Sequence, residues 1–328
     1  MTRISGRSII LALAAIALLV AVPASAAPTI VDLGTFGGEF SDAQAINNRG
    51  QIVGFYNVFG IEHGFLWQDG TVLDLGAICG SDTNAFAIND RGQVVGRSND
   101  CLFGHQHAFL WQDGIMIDLG APEGGQSIAF DINNRGQIAG ASTTPNDGPT
   151  HAFLWQNGTA TDLGTLGGIT SNAYGINNRG QVVGDTETSS GEQHAFLWWR
   201  GEMIDLGTLG GSFGTAFDIN DRGQIVGLSA NASGETHAFL WHGGIMIDLG
   251  TLGGGFSWAT RINGRGQIVG ISTTDSGDAH AFLWSGGTMT DLGTLDGTSS
   301  IAYGINDPGQ IVGASTLNDE NHAVLWLH

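Results

Sequence analysis

Seven histidines and seven aspartates recur in step along this chain, a set of residues able to do acid–base, nucleophilic or metal chemistry. The histidines are His63, His107, His151, His194, His237, His280 and His322, spaced 42–44 residues apart. An aspartate lies 11 residues after each of the first six, at Asp74, Asp118, Asp162, Asp205, Asp248 and Asp291, which leaves Asp32 for His322. A carboxylate on one imidazole nitrogen orients many catalytic bases and metal ligands. Catalysis, however, needs one arrangement at one place, and zinc needs several ligands converging on a point. Sevenfold sameness offers neither, because each copy keeps its histidine apart from the others. No nucleophile motif, phosphate loop or zinc spacing occurs elsewhere. The pairs are therefore read as structural ties, and no catalytic residue, metal ligand or cofactor is assigned.

The elements that hold these residues follow from the repeat. Each histidine opens His-Ala-Phe-Leu-Trp or a near variant, and the tryptophans from Trp67 to Trp326 are assigned to packing between units. Asp-Leu-Gly, Gly-Gln-Ile/Val and an Ile-Asn pair keep step with it, the last ending at Asn47, Asn89, Asn133, Asn177, Asn220, Asn263 and Asn306. A fixed period of this length marks a repeat architecture. In the third unit four short apolar runs, at 129–133, 137–141, 151–155 and 160–164, are bounded by Gly, Asn and Asp and read as strands A to D. Asp69-Gly70, Asp113-Gly114 and Asn157-Gly158 fit two-residue type I′ turns between C and D. Such a turn sets His63 opposite Gly76 and makes Asp74 its diagonal neighbour on one face. This resembles the His–Asp pairing of WD-repeat propellers.

Four-stranded units of this length, seven times over, predict an all-β, seven-bladed β-propeller. The first Asp-Leu-Gly, at 32–34, has no strand C before it, and the last strand C, at 322–326, has no D after it. Residues 30–34 are thus expected to complete the last blade and close the ring. An open β-solenoid is the alternative, and it would want capping repeats instead.

The phrases DLGTLGG, IN(N/D)RGQ(I/V)VG and HAFLW resemble the HAF-repeat family of extracellular repeat proteins. The resemblance spans all seven units and implies export and a repeat fold. It brings no catalytic residues, because the family carries no agreed activity. The seventh unit departs from the pattern at Asp296, Pro308 and Val324.

Export is also expected from residues 1–26. Arg3 and Arg7 precede an apolar run from Ile9 to Val22, and Ala24-Ser25-Ala26 follows, as in a secretory signal peptide. The remaining domain, 27–328, holds 31 acidic and 9 basic residues, a net charge of −22, and no lysine. Such a surface repels phosphate backbones and anionic lipid heads, so neither nucleic acid nor membrane is an expected partner. A secreted or periplasmic monomer meeting an extracellular glycan or protein is expected.

Function is sought where the copies differ. The B–C and D–A loops vary most and share one face, and Phe40, Phe213, Phe256 and Trp258 there suit stacking on a ligand. Two residues before each repeat asparagine stand Ala45, Ala87, Asp131, Gly175, Asp218, Arg261 and Gly304. Charges at a site otherwise Ala or Gly break a local rule, so Asp131, Asp218, Arg261 and Trp258 are assigned to a ligand-contacting channel mouth. Arg49, Arg91, Arg135, Arg179, Arg222 and Arg265 in the A–B turns read as an anion collar or, preferably, as partners of neighbouring carboxylates. Cys79 and Cys101 lie in loops on the same face and are expected to form a disulfide. The favoured function is non-catalytic binding. The alternative is a propeller glycosidase or lyase acting on extracellular polysaccharide, for which Asp131 and Asp218 are the off-pattern carboxylates.

Overall fold

The computed structural model describes residues 28–80, 82–100, 105–121, 125–144 and 148–327. The expected signal peptide and Cys101 lie outside them, so the Cys79–Cys101 pairing remains an expectation. The described residues form strands and turns only. Strand β1 (Thr29–Gly34) precedes a first unit of β2 (Phe40–Ile46), β3 (Ile52–Val58), β4 (Ile61–Gln68) and β5 (Thr71–Asp74), hydrogen-bonded antiparallel in that order. These are strands A to D. The order recurs through β6–β25 (83–291) and ends with β26 (Ser300–Ile305), β27 (Ile311–Leu317) and β28 (Glu320–Leu327). Units four to six are joined by single parallel pairs, Gln193 with Phe213 and Thr236 with Phe256. In the last unit β28 pairs with β1, Trp326 facing Ile30.

The hairpins explain the turn residues. Asp69-Gly70, Asp113-Gly114 and Asn157-Gly158 all have positive φ at both positions, the type I′ geometry that matches strand twist. Arg200 takes the same left-handed conformation, φ 55°, before Gly201.

The core lies between units rather than within them. Val95, Ala108 and Leu110 of unit two pack with Ala129, Ile138 and Phe153 of unit three, with Trp155 partly buried against them. One cluster combines Ala43, Ile52 and Phe65 of the first unit with Val312, Ala323 and Leu325 of the last. Neither face of one sheet is buried until a neighbour covers it, which is why a single repeat cannot fold alone.

Every A strand carries a β-bulge at one position. In β2 the register steps from Ala43–Gly54 to Ala45–Val53, leaving Gln44 without an opposite residue. Ala43 therefore packs toward the last unit, and Ala45, two residues on, packs toward the second. A regular strand would keep both on one face. The extra residue is turned toward the channel between the units. The bulge also explains the glycine that ends Gly-Gln-Ile/Val-Val-Gly: a Cβ on Gly54 would overlap the Asp42 carbonyl oxygen, and on Gly140 that of Ile128.

Candidate functional site

All seven histidines hydrogen-bond through Nδ1 to their aspartates at 2.8–3.1 Å, from His63–Asp74 through His107–Asp118, His151–Asp162, His194–Asp205, His237–Asp248 and His280–Asp291 to His322–Asp32. Each aspartate also accepts the N–H of the glycine two residues on, as Gly76 to Asp74. The pairs lie near the surface rather than deep: the His237 side chain is 14 % exposed and Asp248 39 %. The expected His63–Gly76 pairing differs in detail. In unit two a bulge at Leu119 moves Gly120 opposite Ala108, one step past His107. Among the described residues no group of three or more acidic, His or Cys side chains is gathered as a metal site would need.

The A strands of all seven units line two cavities, one at each end. The cavity at the A–B turns, about 220 Å³, is walled by the repeat isoleucines and asparagines and by the residues that follow them. Here Asn47 Nδ2 donates to Asn89 O, Asn89 to Asn133, Asn133 to Asn177, and so on to Asn263 to Asn306, at 2.9–3.1 Å. Asn306 donates to Asn47 O at 3.1 Å. The second proton on each Nδ2 goes to the glutamine four residues on, and Oδ1 accepts two turn N–H groups, as from Arg49 and Gln51 to Asn47. In the last unit Pro308 has no N–H to give, and Asn306 Oδ1 takes those of Gly309 and Gln310. Every hydrogen-bonding position of these asparagines is filled. The turn arginines are exposed, do not line this cavity, and make no ion pair among the described residues, so the carboxylate partners expected of them are not found there.

The opposite cavity, about 250 Å³, opens on the face of the B–C and D–A loops and is built by the bulge residues. The seven aligned positions are Gln44, Phe86, Phe130, Tyr174, Phe217, Thr260 and Tyr303, joined in the wall by Trp258 and Arg261. The rings form a run: centroids are 6.1 Å apart for Phe86–Phe130, 5.0 Å for Phe130–Tyr174, 5.3 Å for Tyr174–Phe217 and 5.0 Å for Phe217–Trp258. These aromatics do not stand out in the sequence, because alternation from the buried alanine beside them assigns them to packing between units. Only the bulge turns them inward. The available signal was variation itself at one aligned position.

Of the residues singled out by sequence, Trp258 and Arg261 are in this wall. Asp131 and Asp218 are not; each carboxylate accepts an isoleucine N–H of the next unit, Ile176 and Ile262, both at 2.8 Å. Burial pushes Asp218 up to about 6, helped by the Asp131 charge and opposed by Arg261. Burial raises Asp131 as well, again against Arg261, so the guanidinium lies in the field of both. Phe213 and Phe256 sit farther out, where their backbones bridge to the preceding unit.

Above the rings the polar groups are unevenly satisfied. Tyr174 is raised by burial and by its neighbour Asp185, which in turn accepts Asn172 Nδ2 at 3.0 Å. Trp258 Nε1 and Asp42 Oδ1 are buried and have no hydrogen-bond partner among the described residues. Burial, and then the Glu62 charge, push Asp42 up to about 6.

The family model described as "Protein of unknown function (DUF3466)" matches residues 80–202. No curated protein matches the chain. Among solved structures, TolB from Acinetobacter baumannii is 12 % identical at a TM-score of 0.51, over 81 % of this chain and 76 % of that one. A puromycin-hydrolyzing peptidase of Mycobacterium tuberculosis is 14 % identical, TM-score 0.54, over 84 % of this chain. The acylaminoacyl peptidase of Pyrococcus horikoshii is 12 % identical, TM-score 0.50, also over 84 %. The matched region spans about half of each peptidase, 49 % and 50 % of their lengths. At such identities the likeness concerns the fold alone: the chain is a β-propeller. Among the described residues no helix is long and apolar enough to cross a membrane.

Proposed function

We propose that this is an exported, seven-bladed propeller of the HAF-repeat kind, its ring closed by β1, which binds an extracellular or periplasmic ligand without transforming it. Residues 1–26 are its signal peptide and 27–328 its single domain. Closure is supported by the Asn306–Asn47 hydrogen bond, which repeats across the chain ends the link found between every other pair of neighbours. The binding reading is carried by the aromatic mouth. Five of its seven bulge positions are Phe or Tyr, set at the end of the channel where the variable loops gather. Ring-lined concave sites with a few polar groups are the ordinary form of a small-ligand pocket. TolB, to which the fold is similar, is a precedent for a propeller of this outline and not for its ligand.

One observation favours the enzyme alternative. Asp42 is pushed up to about 6 and has one oxygen without a donor, the condition of a general acid. A glycan array run beside a polysaccharide hydrolase and lyase panel separates the two. Saturable binding with no turnover supports the binder, and turnover lost in Asp42→Asn overturns it.

A further inference from the structure

The wall of the aromatic mouth divides by unit. Units two, three and five contribute Phe86, Phe130 and Phe217, which offer ring surface and nothing else, and unit four sets Tyr174 between them with its hydroxyl on Asp185. Units six, seven and one contribute Trp258, Arg261, Tyr303 and Gln44, each with an N–H or O–H. Among the described residues these donors make no hydrogen bond to another side chain. Trp258 Nε1 is buried without a partner. Arg261 makes one long contact, Nη1 to Phe217 O at 3.5 Å, and the one arginine ion pair among the described residues is Arg97 with Glu62. Asp131 and Asp218 hold Arg261 in the channel by their charge, but their oxygens are taken by the N–H groups of Ile176, Ile219 and Ile262. Burial and the Asp42 carboxylate hold the Tyr303 phenol above its usual range, so it stays a donor.

One side of the cavity therefore fits a C–H face and the other an edge of oxygens. A pyranose ring has both. A neutral pyranose, however, would leave the guanidinium with no charged oxygen in hydrogen-bond reach among the described residues, since Asp131 and Asp218 act on it only from beyond ion-pair distance. A cationic ligand would meet Arg261 across the same cavity. A carboxylate matches the planar donor fork of arginine with two parallel hydrogen bonds. Resting on the binding reading above, we propose that the aromatic mouth is a subsite for an acidic sugar, a six-membered ring carrying a carboxylate, stacked on Phe130 and Phe217 with its carboxylate on Arg261.

The test is calorimetric titration of the exported chain at pH 7 with glucuronic and galacturonic acids, free and as short oligomers. Glucose and galactose oligomers form the neutral arm, and benzoate is the carboxylate without a sugar. Uronates should bind at least about tenfold more tightly than the neutral sugars. Arg261→Met should abolish that preference, bringing uronate affinity down to that of the neutral sugars. Phe130→Ala, which leaves the charged triad intact, should weaken both classes together and covers the case in which the Arg261 variant does not fold. Equal affinity for acidic and neutral sugars overturns the proposal, as does benzoate binding as tightly as the uronates, or no uronate binding at all. If neutral sugars alone bind, and lose affinity in Phe130→Ala, the binding reading survives and the acidic-sugar assignment fails. If nothing in a wide ligand panel binds at the mouth, both fail.

Discussion

At one end of the channel seven asparagines hold the same position, and every hydrogen bond they can make is made. At the other end, seven aligned positions hold Gln44, Phe86, Phe130, Tyr174, Phe217, Thr260 and Tyr303, and polar atoms beside them stay unpaired. Both ends belong to the same seven strands, three residues apart in each. The difference separates two demands on a repeat. A seam between identical neighbours rewards identical residues, because each must both give and receive the same contact. A ligand is not sevenfold symmetric, so a site that holds one benefits from copies that disagree.

Substitutions should separate the two ends by what they disturb. Asn133→Ala removes four hydrogen bonds from a buried seam and should destabilise the fold by about 4 kcal/mol in urea unfolding, leaving any ligand affinity of the folded fraction intact. Phe130→Ala at the other end should cost about 2 kcal/mol of stability, since the ring is only partly buried, and should chiefly weaken binding. Between these two in cost to stability, Gly140→Ala should cost about 3 kcal/mol, because the bulge that aims Phe130 inward puts the Ile128 carbonyl where the new methyl must go.

That glycine shows how far the sequence was legible. The units, the four strands and the two-residue hairpins follow from phrases that recur in register and from turn pairs that need positive φ. Arg261 stands out because it breaks a pattern, and Trp258 because it is an aromatic where the units vary. The ring of aromatics does not, because period-two alternation is the rule that reads a strand and the bulge suspends it for one residue. Asp131 and Asp218 break the pattern as clearly as Arg261 does, but their carboxylates turn to backbone N–H groups of the next unit, an outcome that only the packing of two sheets decides.

The buried carboxylates near the aromatic mouth should be visible in the pH dependence of stability. Asp42 and Asp218 are raised to about 6 in the folded chain, so between their unfolded value of about 4 and that point the folded state binds more protons. Stability should therefore increase as pH falls from 7 toward about 4, and the gain should be lost as pH rises through about 6. Asp42→Asn should flatten part of this slope and raise stability at pH 7 by about 2 kcal/mol, measured by urea unfolding across pH. A smaller effect is expected at the His–Asp pairs. Asp162→Asn should cost about 1 kcal/mol, because the pair with His151 is partly exposed and repeated six times elsewhere.

The most direct test of the difference between the two ends is a glycan-array measurement on the wild-type protein and on a Phe130→Ala, Phe217→Ala double variant. The wild type should bind a defined subset of the array, and the double variant should lose that binding while still unfolding in one cooperative transition. Binding retained in a folded double variant would contradict it and move the function away from the aromatic mouth.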